Sequence, residues 1–318
     1  LRGGGTSAAP TFDDAFGFEP LMGAARKCLS GTMWKGASAY TWLHLAESVS
    51  KLCDELHEGT YRQRKCREFP VTSPKPRTIS SIALRDRIVQ RSLNDNVIYP
   101  VMSRSWIYDN YACQTGKGTD FGRARMRRHL ERFHREHGTD GWFLAVDIEG
   151  YYSHLLHSYV DMRFASKLPT WAAGFASESL ASQYGGEVGY KPGSQMVQIA
   201  GIDYLDKLDH LVKERMGVRY YGRYMDDMVL IHQSRTHLEG CLAEMTGHLA
   251  GIGLAPHPSK TKIARVTGPI GFLGFDYRVR DGGVYALAKP AKVKEQRRKL
   301  RTWLCRYSKG RESTAHWV

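Results

Sequence analysis

The sequence predicts an α+β fold, and two observations carry that prediction. Segments of helical and of strand periodicity follow one another in irregular order rather than in regular βαβ alternation. Of the 318 residues, 42% are hydrophobic, enough to bury a core without disulfide staples. The charge bears on partners rather than on fold. With 46 Lys and Arg against 32 Asp and Glu the chain carries +14, which points to a polyanion, either nucleic acid or an anionic membrane surface. The length suits two domains, or one globule with subdomains.

Residues 1–9 open on Leu1 and include a Gly3-Gly4-Gly5 run; they read as a processing remnant outside the fold. Tyr40, Leu43, Leu45, Val49, Leu52 and Leu56 recur at helical spacing and predict a helix over 39–56. The prolines at 70, 74 and 76 mark a turn between two short strand-like runs over 69–79. Helices are predicted over 86–102, with Ile88, Val89, Leu93, Val97 and Ile98 as its apolar face, and over the very basic 120–137. The continuous apolar run 142–146 suits a buried strand, and the helix predicted over 153–168 ends at Pro169. Residues 189–198 form a Gly/Pro loop leading into a helix through about 212. Strand, turn and strand follow over 218–231, then a helix over 236–252, a loop with Pro256 and Pro258, and a hairpin of 270–277 with 283–287. No internal repeat or long low-complexity linker interrupts the series.

The six cysteines are 25, 13, 47, 128 and 64 residues apart, with no Cys-x-x-Cys pair. Zinc knuckles and secreted disulfide frameworks both need short-spaced pairs, so reduced thiols in a cytoplasmic protein are expected. No run of 18 apolar residues exists, which removes a membrane-spanning helix from consideration. The charge is also localised. Residues 62–91 hold nine Lys and Arg against two acids, 123–135 six against one, and 289–311 ten against one. These segments supply 21 net positive charges, more than the whole excess, so the rest of the chain is net acidic. One basic run is commonly a solvated helix face; three flanking acidic motifs favour a groove for a phosphate backbone.

The central motif is Tyr224-Met225-Asp226-Asp227, set between Val218–Arg223 and Met228–Ile231. Two adjacent acids inside an apolar β-like segment are costly unless a cation compensates them. A type I′ hairpin with Asp-Asp at its tip is the simpler reading. A second acid favours the chemical one: Asp147 ends the apolar run Trp142–Val146, with Tyr151 and Tyr152 close behind. Carboxylates ending a buried strand and sitting at a hairpin turn are hard oxygen ligands suited to two Mg²⁺ ions. Phosphoryl or nucleotidyl transfer is the reaction class implied.

In that setting the chain resembles the reverse transcriptases of bacterial retroelements related to group II introns. The resemblance runs from about Tyr61 to Lys299. Lys75-Pro76-Arg77-Thr78-Ile79 and Asp86-Arg87-Ile88-Val89-Gln90 are similar to fingers motifs, Gly271-Phe272-Leu273-Gly274-Phe275 to the primer-grip hairpin, and Pro258–Ile263 to the motif carrying a family lysine. It implies a right-hand polymerase fold: fingers with the N-terminal region over 10–140, a palm of antiparallel sheet backed by helices over 141–288, and a short or truncated helical thumb beginning over 289–318. Asp147, Asp226 and Asp227 are then the metal-binding triad for two Mg²⁺ ions, with Mn²⁺ as a substitute. Lys260 protonates the leaving pyrophosphate, with Lys262 as its rival. Lys75 and Arg77 hold the triphosphate, and Arg87 either joins them or makes a structural ion pair. Tyr152 matches the aromatic gate that excludes a 2′-hydroxyl and so selects dNTPs; its alternative is a core ring beside the strand. Tyr224 and Met225 support the primer terminus together with Gly271, Phe272, Leu273 and Gly274. His157 reads as a packing histidine.

The loop before the predicted helix departs from the intron pattern. Pro192 is displaced by one from the usual register, and Val197-Gln198 falls where enzymes of diversity-generating retroelements carry Ser-Gln. Gln198 fits that subgroup, as a nucleotide contact, and Val197 does not. Residues 107–119 share its flavour and lie along the expected template path. The resemblance thus implies an RNA-directed DNA polymerase with an RNA template, a DNA or RNA primer, dNTPs and, in that subgroup, a helical accessory protein. Alternatives are a group II-like or antiphage-defence enzyme making DNA with or without a template, and a non-catalytic RNA-binding or splicing cofactor.

Overall fold

The computed structural model describes residues 9–71, 77–191 and 193–308. The chain opens with helices α1 (Phe12–Phe16), α2 (Phe18–Leu29), α3 (Gly36–Leu43) and α4 (Leu45–His57), followed by strands β1 (Arg67–Val71) and β2 (Arg77–Ser81). Helix α5 (Leu84–Leu93) passes through a π-helical turn, Asn94–Ile98, into α6 (Tyr99–Met102), and α7 (Thr119–His137) leads to β3 (Trp142–Val146). After a 3-10 turn, Tyr151–Ser153, come α8 (His157–Lys167), α9 (Thr170–Gln183), α10 (Gln195–Tyr204) and α11 (Asp206–His210). The remainder is β4 (Tyr220–Tyr224), β5 (Asp227–His232), α12 (Arg235–Ala250), β6 (Lys262–Arg265), β7 (Ile270–Phe272), β8 (Phe275–Arg280), β9 (Gly283–Ala288) and α13 (Pro290–Ser308).

These elements fall into two compact units, each discontinuous in sequence. The first holds the described residues of Leu1–Tyr108, Ile148–Leu211 and Met245–Ala255; the second those of Asp109–Asp147, Val212–Glu244 and Pro256–Val318.

The first unit is helical apart from the β1–β2 hairpin. Leu21, Ala25 and Leu29 of α2 are fully buried, and α2 packs on α4 and α5, which bring Val49, Leu52, Val89 and Leu93. Where α8 meets α10 and α11, ionic contacts join the aromatic pair of Tyr159 and Tyr204. Arg163 donates to Asp203 at 2.7 Å and Asp206 at 2.9 Å, and Lys167 reaches the same two carboxylates at 2.6 and 2.8 Å. Buried charges matched in this way avoid the penalty of an unpaired one.

The second unit contains two antiparallel sheets, ordered β4-β5-β3-β6 and β7-β8-β9. Its core joins Phe143, Val229 and Ile231 of the larger sheet to Phe272, Tyr277 and Val279 of the smaller one and to Met126, Leu130 and Phe133 of α7. Residues 109–111 run beside β4: the Arg223 N–H donates to the Asp109 carbonyl at 3.0 Å, and the Tyr111 N–H to the Arg223 carbonyl at 2.9 Å.

Several elements differ from the sequence reading. The helix predicted over 39–56 breaks at His44 (φ −111°, ψ 33°). Tyr40 and Leu43 are exposed, and Val49, Leu52 and Leu56 reach the core. The helix predicted from 153 starts at His157, because Gly150, at φ 52°, first turns the chain into the 3-10 segment. Within the predicted loop 189–198, Ser194 caps α10 by accepting from the Met196 N–H, so Gln198 is already helical. Helices α1, α2 and α9 and strand β6 were not anticipated. The buried face of α9 is largely Ala172, Ala173 and Ala176, whose small side chains give little periodic contrast.

Gly222 in β4 admits a close approach. A Cβ there would lie 2.5 Å from the Tyr111 hydroxyl and 2.8–2.9 Å from its ring, and Tyr111 is fully buried. Gly222→Ala is therefore expected to destabilise the protein by about 1–3 kcal/mol, measured by denaturant unfolding; a loss below about 0.5 kcal/mol would show that the ring yields freely.

Candidate active site

The register of the larger sheet gathers the acids. Strand β3 pairs with β5 with Val146 opposite Met228, so Asp147 and Asp227 continue that ladder at its end. In the adjoining hairpin Tyr224 pairs with Asp227, which leaves Met225 and Asp226 as the two-residue turn. Met225 has φ 54°; Asp226 has no positive φ, whereas a type I′ turn requires it at both turn residues. The simpler sequence reading, with both acids at a type I′ tip, is thus corrected: Asp227 is the first residue of β5.

The structure adds one cation to those expected from the sequence. Arg223 is fully buried in β4 and its Nη1 donates to the Met225 carbonyl at 3.0 Å. An arginine inside a buried strand, three residues before an Asp pair, was the available signal. Beside Asp147, the Lys260 Nζ donates to Oδ1 at 2.8 Å, and the His257 N–H donates to the Asp147 carbonyl at 2.7 Å. Lys260 rather than Lys262 reaches the acids, since Lys262 lies over the Phe143 ring at 5.9 Å.

Burial raises the Asp226 carboxyl above its usual range, and the Asp147 charge adds to the rise. Asp227 is pushed up to about 7 by burial first and then by the charges of Asp226 and Asp147, with Lys289 and Lys260 opposing. The hydrogen bond to Asp147 raises Lys260 and keeps it charged. Asp147, Asp226 and Asp227 form a hard-oxygen donor set whose excess negative charge a divalent cation would relieve. The donor chemistry therefore fits Mg²⁺. Among the described residues no three His, Cys, Asp or Glu side chains already stand in metal-holding positions, and Lys260 covers one oxygen of Asp147.

Gly271, Phe272, Leu273 and Gly274 form the β7–β8 hairpin. Its turn, Leu273 (φ 46°) and Gly274 (φ 84°), has positive φ at both positions. Helix α7 holds the tip: Arg123 Nε donates to the Leu273 carbonyl at 3.0 Å, and a Cβ on Gly122 would lie 2.7 Å from the Leu273 side chain. Lys289, the first residue of the basic run 289–311, lies over Gly271, where a Cβ would come within 2.8 Å of its Nζ.

The remaining predicted residues belong to the first unit. The half-buried Tyr152 lies in the 3-10 turn, and Gln198 is exposed on the first turn of α10 while Val197 is buried. Arg77 opens β2 opposite Val71. Lys75 and Pro192 lie outside the described residues. Arg87 donates to the Cys28 carbonyl at 3.3 Å. The His157 ring stacks on Tyr190, with Nε2 2.8 Å from the Gly189 carbonyl.

A family model described as reverse transcriptase (RNA-dependent DNA polymerase) matches residues 68–277. No curated protein gives a significant match. Among solved structures, apo telomerase from Candida tropicalis truncated from its C-terminal domain superposes with a TM-score of 0.53 at 10% identity, over 73% of this chain and 58% of that one. Telomerase from Candida albicans in complex with a fragment of telomeric RNA gives 0.53 and 10%, over 77% and 51%. At this identity the likeness establishes the fold, an α+β polymerase fold, and the chain spans a little over half the length of the telomerases it matches.

Asp227 binds a proton more tightly when folded, with about 7 against 3.8 for the free side chain. Its ionisation therefore opposes folding: the cost is absent below about pH 4 and grows as pH rises through 7. Asp227→Asn should stabilise the metal-free protein at pH 8 by about 1–3 kcal/mol, with the gain vanishing near pH 4. Unfolding in EDTA at both pH values measures this, and destabilisation at pH 8 would contradict it.

Proposed function

Because the chain belongs to the reverse transcriptase (RNA-dependent DNA polymerase) family, we propose that it extends a DNA or RNA primer with dNTPs on an RNA template. The observation that carries this reading is the convergence of Asp147, Asp226 and Asp227 with Lys260 at one end of the larger sheet. Members of the family use divalent metal ions. Asp147 and Asp226 would hold two Mg²⁺, or Mn²⁺, which when bound lower the pKa of the attacking 3′-hydroxyl and neutralise pyrophosphate. Lys260, kept protonated beside Asp147, gives its proton to the leaving group. Lys75 and Arg77 hold the triphosphate, Gln198 contacts the nucleotide, and the Tyr152 ring excludes a 2′-hydroxyl. Tyr224, Met225 and the Gly271–Gly274 hairpin support the primer end.

In this reading residues 10–140 form the fingers, 141–288 the palm and 289–318 the start of a thumb. A groove of about 950 Å³ between β8, β9 and α13, lined by Asp276, Leu287, Ala288, Pro290 and Val293 together with Arg278, Lys294, Arg297, Arg298 and Arg301, supports the thumb assignment, since phosphate backbones are held by such basic side chains. The register of Gln198 after Gly193, although Val197 does not match, supports a diversity-generating retroelement, with its helical accessory protein, over the group II type. Unpaired cysteines among the described residues agree with a cytoplasmic setting, and no described helix is long and apolar enough to cross a membrane. A non-catalytic RNA scaffold has no use for three crowded carboxylates, which would repel phosphate.

The purified protein is expected to incorporate dNTPs on a primed RNA in Mg²⁺, giving DNA complementary to the template. Asp226→Asn should lower the rate by about 10³-fold or more. Products unrelated to the template would point to untemplated synthesis, and a variant as active as the parent would remove the acids from the mechanism.

A further inference from the structure

Gly201 sits buried in the middle of α10. A glycine in a helix interior costs about 1 kcal/mol relative to alanine, and this one does not use the left-handed φ that glycine alone tolerates. The backbone therefore gives no reason for it. The reason lies across from the helix. A Cβ on Gly201 would stand 3.0 Å from Cε1, 3.2 Å from Oη and 3.3 Å from Cζ of Tyr152, closer than a methyl group and a ring pack without adjustment.

The turn that carries Tyr152 is fastened around this contact. The Tyr151 hydroxyl donates to the Gly201 carbonyl, and the Tyr190 N–H donates to the Tyr152 carbonyl at 2.7 Å. Gly189, at φ 89°, lets its own backbone lie against the Ser153 carbonyl, where a Cβ would come within 2.8 Å. With the main chain of the turn tied at these points, the half-buried Tyr152 ring rests on the bare helix surface at Gly201. Gln198 is exposed three residues earlier on the same helix.

We propose that Gly201 is a positioning residue for sugar selection: the absent side chain sets how far the Tyr152 ring stands off α10, and so how much room is left for the sugar of an incoming nucleotide. The proposal rests on the reading of Tyr152 as the ring that excludes a 2′-hydroxyl. A methyl group at 201 pushes the ring a few tenths of an ångström off the helix, into the space the sugar uses.

The experiment is steady-state incorporation of dNTPs and rNTPs by the parent, Gly201→Ala, Tyr152→Ala and the double variant. Gly201→Ala is expected to raise the KM for dNTP by about 3–10-fold with kcat nearly unchanged, and to sharpen discrimination against rNTP, as small misplacements at a reacting sugar do. Tyr152→Ala should relax discrimination, and adding Gly201→Ala to it should change nothing further. The same KM change in both backgrounds, or unchanged KM and discrimination in Gly201→Ala while Tyr152→Ala relaxes it, overturns the role of Gly201. Discrimination unchanged in Tyr152→Ala overturns the gate reading itself and the proposal with it. Alanine is the better helix former, so the melting temperature of Gly201→Ala should not fall. If it does, Tyr152→Leu in the Gly201→Ala background supplies the second readout: leucine lacks Cε1, Cζ and Oη, so the KM should equal that of Tyr152→Leu alone, and a KM still raised above it overturns the proposal.

Discussion

Like-charge crowding at the end of the β3–β5 ladder is the constraint on which the second unit depends. Asp147, Asp226 and Asp227 are brought together by strand register, and burial, with the charges of their neighbours adding to it, raises the proton affinity of the latter two. Cations are placed around them from separate parts of the chain: Lys260 from the loop before β6, Arg223 from within β4, Lys289 from the end of β9. The strand that carries Arg223 is itself braced. Its backbone pairs with residues 109–111, and Asp109 is held by Arg125 at 2.8 Å, His129 at 3.2 Å and Lys213 at 3.3 Å. Burial works against the Asp109 charge, yet His129, Lys213 and Arg125 keep its carboxyl well below the usual range. A fully ionised anchor of this kind fixes β4 and hence the turn that presents Asp226.

Glycines are used where side chains would block a close approach. Gly222 admits the Tyr111 ring, Gly122 admits Leu273, and Gly201 admits the Tyr152 ring. In each case an aromatic or apolar side chain is seated on bare backbone.

Much of this was legible in the sequence because the informative segments are short and high in contrast. The run Trp142–Val146 and the apolar residues flanking Asp226 and Asp227 announce buried strands, and acids at their ends stand out against them. What the pattern could not give was register. The pairing of Tyr224 with Asp227 moved one acid out of the turn, and periodicity alone carries no information on which residues face each other across a hairpin. Helix 39–56 failed for a related reason: apolar spacing continues across His44, but the break there turns Tyr40 and Leu43 to solvent. Lys289 lies 62 positions after Asp227, and only the fold brings its charge to bear on that carboxyl.

Under the proposed function the crowded acids bind the divalent ions of nucleotidyl transfer. Iron(II) placed in the Mg²⁺ site and reacted with ascorbate and peroxide cuts the polypeptide near the ion. Cleavage confined to the backbone around Asp147 and around Met225–Met228, and suppressed by excess Mg²⁺, is the predicted result. Cleavage elsewhere, or cleavage at these positions that excess Mg²⁺ leaves unchanged, would contradict the account.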